Sequence, residues 1–132
     1  MDNLKIITVL FDYPEHTNPL FYSNLTEEVI EQQVVCLRFD SKSREHKEAL
    51  NAYGGESLYS KFWYFKLHKL VEYLRTDDSD TIMFLDALDT NIVAPLDEII
   101  RKYQEFGKKV VLGAEKDLWP VTKYAHLYDA RS

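Results

Sequence analysis

Asp86 and Asp89 stand three residues apart, directly after the apolar run 81–85 (TIMFL). Carboxylates are hard oxygen ligands. A pair of them carries enough charge to hold Mg²⁺ or Mn²⁺ while leaving octahedral positions for water and for phosphate oxygens, the usual arrangement around a metal-bound nucleotide. Along a straight strand, residues three apart point to opposite faces, so these two side chains can meet at one cation only if the chain turns immediately after Asp86. From spacing alone, a strand-end aspartate followed by a turn-forming aspartate reads equally well.

Other chemistries find less support. Haloacid-dehalogenase-type phosphatases need aspartates two apart, normally after the first strand, whereas here the spacing is three and the pair follows the third apolar run. His16, His46, His68 and His126 show no metal-ligand spacing. There is no Ser-His-Asp order, Gly-rich phosphate loop, Cys-x-x-Cys or Gly-x-Gly-x-x-Gly, so nucleophilic hydrolysis and dinucleotide binding lack their motifs. Cys36 is the single cysteine and lies in the apolar run Val34-Val35-Cys36-Leu37, which suits a small packed hydrophobe and excludes a disulfide-stapled fold.

A chain of 132 residues with 45% hydrophobic and 14% aromatic content has the material for one folded domain. Sixteen Lys and Arg against 22 Asp and Glu give a net charge of −6, which argues against wholesale binding to nucleic acid or an anionic membrane. The apolar run near the N-terminus spans only residues 6–11 and is followed by Asp12 and Pro14, so it reads as a strand and not as a leader or a membrane span. The expected location is the cytoplasm.

The elements that must position the aspartates follow from apolar runs and punctuation. Strands are expected at residues 5–11, 33–39, 81–85 and 109–114, each mostly apolar, as in strands buried on both faces. A short helix fits residues 20–25 or 27–30. After Gly54-Gly55, Ser57 can cap a helix over 57–74 whose apolar residues Trp63, Leu67, Leu70, Val71 and Leu74, widened by Leu58, Phe62 and Phe65, predict burial around much of its girth. Pro95, Asp97-Glu98 and Gly107 bound a helix over 95–106. Alternating apolar strands and helices predict an α/β fold with a mostly parallel sheet and helices on both faces. Ligands in such sheets bind beyond the carboxyl ends of the strands, where Asp12, Asp40, Asp86 and Glu115 fall.

Gly54-Gly55, Lys61, Ile82-Met83-Phe84, Asp86/Asp89, Pro95 with Glu98, Gly107, Ala114-Glu115 and Trp119-Pro120 together resemble the glycosyltransferase domain of procollagen lysyl hydroxylases and their microbial and viral relatives. Order and approximate spacing agree over about residues 51 to 120, and Ile7-Thr8-Val9 resembles that family's first strand. The resemblance implies a GT-A fold in which a Rossmann-like N-terminal half binds a UDP-sugar. Asp86 and Asp89 would then bind Mn²⁺ (or Mg²⁺) and, through it, the diphosphate. Lys61 matches the family's Lys after Gly-Gly and would add charge near the phosphates or sugar. Val9 matches a strand-end residue near the uracil, with Phe11 and Tyr53 placed to help. Leu88 departs from the aromatic that usually separates the two aspartates. Glu115 and Trp119 fit a segment that lines the site.

After Trp-Pro the family continues into an acceptor half that contributes a late His to the metal. Here twelve residues follow Pro120, none matching that segment, and His126 comes too early to be that ligand. The expectation is a single nucleotide-sugar-binding domain over 1–132, the donor half of a truncated or naturally short GT-A domain. Two functions fit it. One is metal-dependent transfer of a hexose from a UDP-sugar to a hydroxyl acceptor, completed by a partner subunit or downstream sequence. The other is a non-catalytic nucleotide-binding or interaction module. No catalytic base is assignable.

Overall fold

The computed structural model describes residues 3–40, 42–44, 47, 48, 51 and 58–113, with the backbone alone for 58–65. The chain divides into two compact units, Met1–Val93 and Ala94–Ser132.

In the first unit, three strands form one parallel sheet: β1 (Leu4–Phe11), β2 (Val34–Phe39) and β3 (Thr81–Phe84), in the order β2-β1-β3. Strand β1 is the core. Leu4, Ile6, Ile7, Thr8, Val9 and Leu10 are all buried, because a central parallel strand has both pleat faces covered and both edges paired. The link from β1 to β2 carries a 3₁₀ turn (Leu20–Asn24) and helix α1 (Glu27–Gln33). Thr26 starts α1, its hydroxyl accepting from the Val29 N–H at 3.2 Å, and Glu27 and Glu28 sit at the positive end of the helix. The link from β2 to β3 carries helix α2 (Leu58–Leu74) and must pass over β1 to reach its other edge.

These two links run in opposite directions across the sheet. Since parallel crossovers are right-handed, that reversal puts the flanking helices on opposite faces and makes the gap between the carboxyl ends of β1 and β3 a topological switch point. Side chains agree. The register aligns Ile7 with Phe84, Val9 with Leu37 and Phe11 with Phe39, so these six share one face. Lys66 and Lys69 of α2 lie over Phe84 and Phe39 on that face, their ammonium groups 5.3 and 5.4 Å from the ring centroids. Thr8 and Cys36 are paired on the opposite face. Burial pushes both the Cys36 thiol and the Tyr22 hydroxyl up, and Cys36 raises Tyr22 further.

The phase of α2 differs from the sequence expectation. Leu67 and Val71, expected inside, are 39% and 49% exposed, whereas the Lys66 and Lys69 side chains are 18% and 13% exposed. The half-buried row is Lys66, Lys69, Leu70, Tyr73 and Leu74, at helical spacing, with Leu70 and Leu74 where the sequence placed them. Lysine stems are apolar and can cover a sheet while their charged ends reach its rim, which a ranking by hydrophobicity misses.

In the second unit, α3 (Leu96–Glu105) starts at Pro95 with Asp97 and Glu98 in its first turn. Gly107 ends it in the left-handed region, φ 61°, its N–H donating to the Gln104 carbonyl at 3.0 Å. The strand expected at 109–114 does not form over 109–113, and Ala114 lies outside the described residues. Val110, Val111 and Leu112 are 72%, 40% and 82% exposed. An apolar run favours a strand, but only a neighbouring strand supplies the ladder that makes it one.

Candidate functional site

At the switch point β3 stops before β1 does. The register between them ends at Ile7 and Phe84, and the Leu85 N–H donates to the Ile7 carbonyl at 3.0 Å. Backbone groups alternate sides along a strand, so the N–H and C=O of Val9 point toward the same edge as those of Ile7, where β3 offers no paired residue. Val9 itself is buried, its side chain on the α2 face. Phe11, half-buried at the end of β1, rests against Phe39 with ring centroids 5.7 Å apart. Asp12 then turns the chain with a left-handed φ of 59°, held by its N–H donating to the Phe39 carbonyl at 2.8 Å. Arg38 donates to the carbonyls of Pro14 and Thr17, fastening the loop that follows.

The acidic loop is fastened from the other side. The chain bends over residues 87–89, meeting the requirement for an immediate turn after Asp86. Ala87 is buried and its carbonyl accepts from the Leu20 N–H at 2.7 Å. Asn24 Nδ2 donates to Asn91 Oδ1 and to the Ile92 carbonyl, both at 2.8 Å, and Ile92 is buried. With Ala87 and Ile92 as anchors, Asp86, Leu88 and Asp89 are left exposed. Among the described residues, no three His, Cys, Asp or Glu side chains are grouped to hold a metal ion. One or two carboxylates are the usual protein share of an octahedral site whose other ligands are water and phosphate.

Asp86 already holds a cation. Its Oδ1 accepts from the Lys66 ammonium in an ion pair, with the Lys66 side chain 18% exposed and that of Asp86 52% exposed. The ammonium thus approaches from the protein side while the carboxylate faces outward. Lys66 was not legible as a site residue. Its signal in the sequence was a lysine within the apolar stretch between Phe65 and Leu67, eight residues before the end of α2. Of the other expected site residues, Lys61 lies on the α2 backbone with its side chain outside the described residues, and Tyr53, Glu115 and Trp119 are outside them altogether. No helix among the described residues is long and apolar enough to cross a membrane.

The arrangement is a topological switch point of a parallel sheet with an acidic turn at its mouth, and comparison with known proteins gives it a family. The PLOD GT domain family matches residues 14–131, and the chain belongs to it, as a glycosyltransferase-like domain. It is 37% identical over 67 residues to a procollagen-lysine,2-oxoglutarate 5-dioxygenase of Drosophila melanogaster, a stretch covering 48% of this chain and 9% of that protein. No solved structure gives a significant match.

Proposed function

We propose that the chain binds a UDP-sugar with Mn²⁺ or Mg²⁺ and serves in transfer of the hexose to a hydroxyl acceptor. The observation that carries this reading is the acidic turn at the end of β3: Asp86 sits at the switch point and binds a cationic group there. Asp86 and Asp89 would hold the metal. When bound, a divalent cation stabilises the charge that gathers on the departing UDP, acting as a Lewis acid. The backbone of Val9 on its β3 side would offer a donor and an acceptor to the uracil, Phe11 follows it on the same face, and Tyr53 and Leu88 are the remaining expected neighbours of the nucleotide. Lys61 adds positive charge at the phosphates or sugar.

Calorimetry of UDP with and without Mn²⁺ tests the assignment. The expected result is tighter binding with Mn²⁺, and loss of that gain in Asp86→Ala and in Asp89→Ala. Equal affinity with and without Mn²⁺ rejects the metal ligands. An acceptor screen run beside a donor-hydrolysis assay separates transfer from donor binding alone, since transfer needs the acceptor hydroxyl held in line with the anomeric carbon.

A further inference from the structure

Lys66 stands where the proposed metal would bind, and its placement makes one carboxylate serve two cations. The stem is mostly buried, with the ammonium over Phe84 and paired to Asp86, whose other side faces solvent. A divalent cation on Asp86 and an ammonium on the same carboxylate repel at ion-pair distance, so tight binding of one disfavours the other. A lysine is a point charge on a flexible four-carbon stem and can change partner without moving its helix. A nucleoside diphosphate arriving with the metal brings the anion to which a displaced ammonium would turn.

We propose that Lys66 is an exchangeable cation at Asp86, a positioning residue that holds the carboxylate before metal binds and passes to the donor diphosphate when metal and nucleotide are both bound. This rests on the metal and UDP reading above. It makes the two ligands cooperative: Mn²⁺ alone must compete with Lys66, UDP alone finds Lys66 engaged, and each relieves the obstacle to the other.

The experiment uses the full 132-residue chain and four proteins: wild type, Lys66→Met, Lys66→Arg and Lys69→Met. Mn²⁺ affinity without nucleotide is measured from the paramagnetic resonance of free Mn²⁺, and UDP affinity at saturating Mn²⁺ by calorimetry. Lys66→Met should tighten Mn²⁺ alone by about fivefold or more and weaken UDP by a similar factor, the range typical of coupled sites. Lys66→Arg should keep the wild-type pattern. Lys69→Met, whose ammonium lies over Phe39 and pairs with Glu72, should move neither affinity. A purely structural role predicts both affinities falling together in Lys66→Met, and that result, or no change in either, overturns the exchange. If Asp86→Ala abolishes Mn²⁺-dependent UDP binding while Lys66→Met fails to split the two affinities, only the exchange falls. If wild type binds neither Mn²⁺ nor UDP, the functional reading falls and takes the exchange with it.

Discussion

Thr8→Val should stabilise this protein. Thr8 lies in the middle of β1 with 0% exposure, and its Oγ1 is buried without a hydrogen-bond partner among the described residues. A hydroxyl removed from water and left unpaired costs about 1–3 kcal/mol on the scale of protein substitutions. Valine keeps the β-branched shape and the strand preference while replacing the hydroxyl by a methyl. The expected gain is therefore about 1–2 kcal/mol, a sizeable share of the roughly 5–15 kcal/mol that holds a domain folded. With a urea slope of about 1.5 kcal/mol/M, the midpoint should rise by about 1 M with the slope unchanged. Thr8→Ser supplies the contrast, because it keeps the unpaired hydroxyl and deletes a buried methyl, and should cost about 1 kcal/mol. Urea unfolding followed by circular dichroism reads both. Destabilisation by Thr8→Val would show that the hydroxyl is bonded in the folded protein and would refute the reasoning.

The clasp on the acidic loop can be opened at a distance. Asn24→Ala deletes two hydrogen bonds to Asn91 and Ile92 and should cost about 1–2 kcal/mol, raise amide exchange over residues 87–92 and weaken Mn²⁺-dependent UDP binding with both aspartates intact; unchanged exchange there would mean that the loop is held by other contacts. The Tyr73 hydroxyl donates to Asp77 at 2.6 Å, which pushes Tyr73 up to about 12, while bonds from Ser79 and Tyr73 pull Asp77 down from its ordinary 3.8. The raised tyrosine contributes stability that is complete below its ordinary value of 10.0 and is lost as pH rises through about 12; the lowered aspartate contributes stability present above 3.8 and lost as pH falls through its depressed value. The stability difference between wild type and Tyr73→Phe should accordingly be widest between these limits and close at both ends, and a pH-independent difference in thermal midpoint would contradict the bond.

Local chemistry settled a good deal of the fold. The apolar runs at residues 4–11, 34–39 and 81–84 are strands because chains of β-branched and aliphatic residues suit a sheet buried on both faces, and helical links then force them parallel. Thr26 and Gly107 are punctuation whose effect needs only a few neighbouring residues, and both act as their residue types require. The position of the acidic pair just after a strand was legible for the same reason, since residue types and spacing are local properties of the sequence.

What depends on which segment meets which was decided only in three dimensions. The order β2-β1-β3 creates the switch point, and the early end of β3 leaves the Val9 backbone at its edge; neither is written into any one strand. Residues 109–113 are as apolar as a strand yet form none, since a strand is defined by its partner. The inward row of α2 was set by how the helix lies over Phe39 and Phe84, which buried the stems of Lys66 and Lys69 and exposed Leu67 and Val71. Hydrophobic periodicity shows how many faces of a helix can be covered. The tertiary contact chooses among them, because a lysine stem can cover apolar surface and its charge then finds Asp86.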